Sequence, residues 1–162
     1  MKDLPDEIQA DAEGLYYESK SAGLLQGRSN DWFDAAAVYA ACRIHGHPRS
    51  RNEIAAATDV STQQLGNAFD AMTHELDVSV PQYHPTDFIT RYADQLRLSD
   101  DVTHEAEQLA HNWYDSGATG GRSPRIIAAA CIYRASDMSQ VDVAEFADTH
   151  PMSIRSCLDA VG

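Results

Sequence analysis

The chain has 162 residues and a mass of 17.8 kDa, room for one or two small domains with a proper core. Hydrophobic residues make up 43% and charged residues 23%, ordinary values for a globular chain, and no run approaches the roughly 20 apolar residues of a membrane helix. The first nine residues carry no apolar signal core, which speaks against secretion by that route and for a cytoplasmic protein with no membrane partner. The 3 cysteines, Cys42, Cys131 and Cys157, are far apart and odd in number, which excludes a zinc-finger spacing and a disulfide framework.

The formal net charge is −13, from 25 acidic against 12 basic residues. Taken alone, that argues against nucleic acid, whose binding rests on Lys and Arg at phosphates. The make-up of the charge shifts the reading. Asp far outnumbers Glu, and Lys2 and Lys20 are the only lysines. An acidic, lysine-poor surface suits molar salt, where the Debye length falls to about 3 Å and self-repulsion is screened. The charge therefore reads first as an adaptation to a high-salt cytosol and second as evidence about a partner.

The pattern is helical almost throughout. Residues 6–22 form a predicted helix with Ile8, Ala12, Leu15 and Tyr16 on one face, the i, i+4, i+7, i+8 spacing of an amphipathic stripe. Asn30 or Asp31 caps a second helix to about residue 44, ended by Gly46 and Pro48. It carries Phe33, Ala36, Ala37, Ala40 and Ala41, so many small residues that neighbouring helices can approach closely. Ser50 and Glu53 form a capping box before a short helix at 53–58, and Ser61 with Gln64 opens another to about 76. Residues 78–84, followed by Pro85, read as a linker. A helix with Phe88, Ile89, Tyr92 and Leu96 follows.

Then the chain begins again. At an offset of 94 residues, Gly23, Gly27, Arg28, Ser29, Ala35, Ala36, Tyr39 and Ala41 fall on Gly117, Gly121, Arg122, Ser123, Ala129, Ala130, Tyr133 and Ala135. Beyond about residue 136 the offset drops to 89, and Ala55, Asp59, Asp70 and Ala71 match Ala144, Asp148, Asp159 and Ala160. Apolar positions agree in type: Phe33 with Ile127, Val38 with Ile132, Leu65 with Ile154, Phe69 with Leu158. The chain is an internal duplication of an all-helical unit. The expected organisation is a first repeat at 1–80, a linker and inter-repeat helix at 81–98, and a second repeat at 99–162.

This duplicated pattern resembles the core domain of transcription initiation factor B, archaeal factor B and eukaryotic factor IIB. The resemblance is carried by Gly27-Arg28-Ser29-Asn30-Asp31, by the run AAAVYAACR at 35–43, by His47-Pro48-Arg49-Ser50, by Asp87-Phe88-Ile89-Thr90-Arg91-Tyr92, and by Gly121-Arg122-Ser123-Pro124 with Ser153-Ile154-Arg155. It implies an all-α fold of two cyclin-like repeats in tandem. It also implies docking on the TATA-binding protein on promoter DNA beside the TATA box, through a helix-turn-helix in the second repeat. Carried over, the turn falls at Thr149-His150 and the recognition helix begins near Pro151. Arg155 then stands at the base-contacting arginine and Met152 at an apolar contact, with Ser153, Arg122 and Arg125 completing the expected DNA-binding set. The chemistry fits, since Arg bonds guanine O6 and N7 bidentately and an apolar side chain meets a thymine methyl. Read from the residues alone, Arg155 is more readily an exposed arginine on a helix surface, and the resemblance brings the two readings level.

Three departures from the family pattern matter. The zinc ribbon and the polymerase-reader segment are not in this sequence, so the resemblance implies a regulatory or truncated initiation factor that does not recruit polymerase. The first repeat carries Thr62, Gln63, Asn67, Asp70 and His74 where the family has Lys and Arg. Cys157 and Asp159 replace basic residues in the second recognition helix. Losing phosphate contacts costs affinity, which keeps a second expectation open: a cyclin-like adaptor that binds protein and no longer binds DNA.

Other chemistry is thin. His104, Glu107 and His111 lie at i, i+3, i+7 and read as a solvated polar face, because no further ligands stand out. Cys42 and Cys131 sit on the alanine-rich helices as small core residues. Ser29 and Ser123 read as N-caps and not as nucleophiles. The Thr119-Gly120-Gly121-Arg122 turn lacks the Lys-Ser/Thr ending of a P-loop. Trp32 and Trp113 read as core and not as stacking platforms. The sequence thus points to no enzyme, no cofactor and no metal site.

Overall fold

A computed structural model describes residues 3–162; Met1 and Lys2 lie outside the described residues. Nine helices and no strand occur among the described residues: α1 (Asp6–Ser21), α2 (Asn30–Ile44), α3 (Arg51–Thr58), α4 (Thr62–Glu75), α5 (Pro85–Leu96), α6 (Asp100–Tyr114), α7 (Pro124–Ala135), α8 (Gln140–Phe146) and α9 (Pro151–Val161). No described helix is long and apolar enough to cross a membrane. The chain divides into two compact units, the first ending at Gln82 and the second running Tyr83–Gly162. The first holds α1 to α4, the second α5 to α9.

Each unit is organised around one helix. In the first, α2 packs against α1, α3 and α4. In the second, α7 packs against α5, α6, α8 and α9. Both central helices are buried on more than one face: Ala35, Ala36, Ala37, Ala40, Ala41 and Cys42 on α2, and six consecutive residues from Ile127 to Ile132 on α7. A helix apolar over most of its circumference belongs largely inside. Alanine serves there because it has high helix propensity and lets a partner axis come close. The surrounding helices supply the bulk: Ile8, Leu15, Ile54, Leu65, Phe69 and Met72 in the first unit, Phe88, Ile89, Val143, Ile154 and Leu158 in the second.

The helix ends are set locally. Serine caps six helices: the Ser29, Ser50, Ser61, Ser99, Ser123 and Ser139 hydroxyls accept from first-turn N–H groups of α2, α3, α4, α6, α7 and α8. The Ser50–Glu53 and Ser61–Gln64 boxes form as the sequence predicts, and His84 with Asp87 makes a further one on α5. Pro85, Pro124 and Pro151 open α5, α7 and α9, where a missing N–H leaves no bond unmade. The reading of Ser29 and Ser123 as caps is thereby met, and Ser29, not Asn30 or Asp31, caps α2.

The duplication reappears as backbone conformation. Aligned Gly23 and Gly117 have φ 80° and 81°, and aligned Asp59 and Asp148 are left-handed at φ 57° and 53°. Asp tolerates that region better than most side chains. The match is not perfect, since Gly27 has φ 74° while in the second unit Gly120, and not the aligned Gly121, takes the positive φ. In order along the chain, α1 to α4 correspond to α6 to α9. Helix α5 packs against α6 and α7, and Tyr92 meets Phe146 of α8 edge-on at 5.3 Å.

Two expectations need correction. Tyr16 is only half-buried; Ser19 takes the buried place on the α1 face, its hydroxyl donating to the Leu15 carbonyl at 2.8 Å, the way a buried serine satisfies itself in a helix. Trp32 and Trp113 are half-buried and not core. The Arg134 guanidinium lies 5.5 Å from the Trp113 ring centre, a cation–π arrangement that keeps one ring face at the surface.

Replacing Ile127, fully buried on α7, with alanine is expected to lower the unfolding free energy by about 2–5 kcal/mol, read by urea denaturation monitored by helical circular dichroism. The three thiols are buried, and burial pushes Cys42 up to about 11 and Cys131 up to about 12. They are expected to ignore Ellman's reagent in the native protein and all to react in denaturant; a thiol titrating at native rates near neutral pH would contradict the packing.

Candidate nucleic-acid interface

Helices α8 and α9 are joined by the short stretch 147–150, the helix–turn–helix arrangement expected at this place. The turn is tight because Asp148 takes the left-handed conformation and Pro151 starts the next helix at once. Ile154, Cys157 and Leu158 face the core, at i, i+3, i+4. That spacing leaves Met152, Arg155, Ser156 and Asp159 exposed on the opposite side.

Met152 is 80% exposed, far beyond the usual place of a methionine. With Arg122, Ile126, Ser153 and Ser156 it lines a shallow cleft of ≈ 270 Å³ between α9 and the start of α7. Arg122 is held in place there, donating from Nη1 to the Thr119 carbonyl at 3.0 Å and from Nη2 to the Ser156 hydroxyl at 3.1 Å. Arg155 is exposed and forms no hydrogen bond or ion pair among the described residues. Asp159 stands one turn further along its face. No side chain caps the first turn of α9; Pro151 opens it without an N–H, and the Ser153 N–H donates to the His150 carbonyl at 2.9 Å.

Arg125 has a different position. Its Nη1 donates to the Ala147 carbonyl and, at 2.8 Å, to the Asp148 carbonyl. The guanidinium thus ties the N-terminal turn of α7 to the end of α8. Arg134 lies over Trp113. Of the arginines on which a basic face would be built, Arg122 and Arg155 therefore flank α9, while Arg125 and Arg134 are engaged inside the unit.

The first unit uses its arginines similarly. Arg43 and Arg51 lie over the Tyr39 and Phe69 rings at 5.1–5.6 Å. Arg43 also donates from Nε to the Pro81 carbonyl at 2.8 Å and from Nη2 to the Val80 carbonyl at 3.2 Å. On α4, the helix aligned with α9, the residues Gln63, Asn67, Asp70 and His74 form one exposed stripe. This face carries a carboxylate and no Lys or Arg.

One cluster went unread in the sequence. His84 Nε2 lies 2.9 Å from Asp115 Oδ1, and His111 Nδ1 lies 2.9 Å from Asp115 Oδ2. Hydrogen bonds from His111 and then His84 hold the Asp115 carboxyl below its ordinary value. His104, expected beside His111, instead meets Gln108 at 3.2 Å. The i, i+4 spacing of His111 and Asp115 was legible; the approach of His84, 27 residues earlier in the sequence, was not.

Because Arg125 closes the α8–α9 turn, Arg125→Ala is expected to cost about 1–3 kcal/mol of stability through loss of charged hydrogen bonds to the Ala147 and Asp148 carbonyls. Arg155→Ala, at an exposed position, is expected to stay within about 0.5 kcal/mol of the parent. Thermal melts of the two variants check this.

Comparison with known proteins bears on the whole chain. The family described as "Transcription factor TFIIB repeat" matches residues 2–75 and again 78–157. The chain is 35% identical over 160 residues to "Transcription initiation factor IIB 1" of Thermococcus kodakarensis, covering 94% of this chain and 53% of that protein. It is 35% identical to "Transcription initiation factor IIB 1" of Halobacterium salinarum over 147 residues, 88% of this chain and 51% of that protein. A third relative, "Transcription initiation factor IIB" of Methanocaldococcus jannaschii, is 35% identical over 94% of this chain and 24% of its own length. The chain spans about half the length of the first two relatives. Two successive matches that together cover nearly every residue, on a duplicated helical architecture, show that this chain belongs to the transcription factor TFIIB repeat family.

Proposed function

We propose that this protein docks on the complex of the TATA-binding protein with promoter DNA, with α9 as the element that meets the DNA beside the TATA box. The observation that carries the reading is the pairing of exposed Met152 and exposed Arg155, one turn apart on the helix that follows the α8–α9 turn. A methionine 80% exposed packs little of its side chain, and an arginine beside it without an intramolecular partner is available to a base edge. Arg122, fixed at the mouth of the same cleft, serves as a phosphate contact. Arg125 acts by holding the turn rather than by touching DNA. The acidic surface restricts this docking to high ionic strength, where self-repulsion and repulsion from phosphate are both screened. The place of action is then the nucleoid of a high-salt cytosol.

A second reading rests on a separate observation. The exposed stripe Gln63, Asn67, Asp70 and His74 on α4 and the carboxylate of Asp159 on α9 remove cation from faces that would approach phosphate. A protein-binding adaptor on the same scaffold would carry such faces without penalty.

The two readings separate in a mobility-shift measurement on a labelled promoter duplex, with and without the TATA-binding protein, from low to molar salt. The docking reading expects a shifted complex only when the TATA-binding protein is present. It expects Arg155→Ala to weaken that complex by the worth of one base contact, about 1–3 kcal/mol or roughly 5- to 150-fold. No shift at any salt from a folded protein would overturn it and leave the adaptor.

A further inference from the structure

We propose that His84, His111 and Asp115 form a binding site for a borderline divalent transition-metal ion of the Zn²⁺ class, within the second unit and apart from the α9 surface. One ligand atom from each of His84, His111 and Asp115 lies within 4.8 Å of the other two. Two imidazole nitrogens and one carboxylate are the donor set such ions select over Mg²⁺ or Ca²⁺. With bonds of about 2.0–2.2 Å, tetrahedral ligand atoms stand roughly 3.3–3.6 Å apart. To admit the ion, the two hydrogen bonds of 2.9 Å open by a few tenths of an ångström, and a pair of ligand atoms standing as far as 4.8 Å apart draws in by about 1 Å. Water completes the coordination.

The three ligands are positioned by helix ends rather than by a loose loop. His84 is the N-cap of α5. His111 is in the last turn of α6, and Asp115 is the C-cap residue of that helix, one turn on. The C-terminal end of α6 presents the negative end of its dipole to a cation. The His84 and His111 rings are 5.0 Å apart and tilted by 36°, and the Tyr114 edge packs on His84 at 5.0 Å. The side chains are 28%, 60% and 51% exposed for His84, His111 and Asp115, so an ion enters from solvent without any rearrangement of the core.

An outer partner is also present. His84 Nδ1 lies 2.8 Å from the Thr86 hydroxyl oxygen and accepts from the Thr86 N–H at 3.1 Å. When Nε2 binds metal, the imidazole proton moves to Nδ1 and is donated to the Thr86 hydroxyl. The backbone cap bond is given up in exchange. At His111 the proton moves from Nδ1, where it serves Asp115, to Nε2 on the solvent side. Neutral imidazoles thus bind without net proton release; each imidazolium releases one proton.

The test is titration of the chelator-stripped protein with Co²⁺, read by its ligand-field absorption, and with Zn²⁺, read by calorimetry. Both are run in molar KCl so that diffuse cation association with an acidic chain is suppressed. One ion per chain is expected, with His Hε1 and Hδ2 resonances of two histidines shifting. His111→Ala and Asp115→Asn are each expected to weaken binding more than about 10-fold, and Thr86→Val by about 10- to 100-fold through loss of the outer partner. His104→Ala is expected to change nothing. His84→Ala also removes a helix cap, so His111→Ala, at an exposed position, is the deciding variant. Binding that persists in His111→Ala, that falls equally in His104→Ala, or that is absent from the folded parent overturns the site.

Discussion

Everything else in the protein depends on two small-residue helices being enclosed. Helices α2 and α7 bury alanines and a cysteine where most helices would present a polar face. A helix of that composition exposes only a narrow side, which includes Asp31, Asp34 and Ile44 on α2 and Arg134 on α7, and its stability comes from the partners that wrap it. That requirement fixes the rest of each unit. The wrapping helices bring the large side chains, and their short connections need tight ends, which serine caps, left-handed aspartates and first-turn prolines supply. The same device is built twice from related sequence, down to a φ of about 80° at Gly23 and Gly117.

The enclosure has a consequence for charge. With 2 lysines among 12 basic residues, arginine has to serve both packing and any nucleic-acid contact. Arg43 and Arg51 lie against Tyr39 and Phe69, Arg134 lies over Trp113, and Arg125 holds two carbonyls at the end of α8. Planar guanidinium groups suit these places because they stack on rings and donate in several directions at once. A count of basic residues therefore overstates the cation available to phosphate. The α9 surface is left with Arg155 and Arg122, beside Met152, and this scarcity makes the docking reading dependent on a few residues and on salt.

The α8–α9 pair and the His84–His111–Asp115 cluster lie in one unit but answer to different physics. The first is an exposed surface where Arg155 has no internal partner and Arg122 is held by the Thr119 carbonyl and the Ser156 hydroxyl. The second is a set of polar groups that already satisfy each other, His84 and His111 both on the Asp115 carboxylate. An ion that replaces those hydrogen bonds with coordination would tie the start of α5 to the end of α6, two elements that also pack against one another.

The helices, their caps and the duplication were legible in the sequence because they are local or periodic: the apolar spacing, Ser50 with Glu53, Ser61 with Gln64, and the offset of 94 residues are all properties of neighbouring or aligned positions. The exposure of Met152 and Arg155 followed from the same periodicity, once Ile154 and Leu158 were assigned to the core. What tertiary structure alone decided is where long polar side chains end. Arg125 and Arg122 are 3 residues apart in sequence, yet one reaches back to the carbonyls of residues 147 and 148 and the other crosses to Ser156. The pairing of His111 with Asp115 is local, at i, i+4, but only the packing of α5 on α6 brought His84 to the same carboxylate. Side chains of that length span a distance comparable to a helix diameter, so their partners are set by the fold and not by the spacing of residues along the chain.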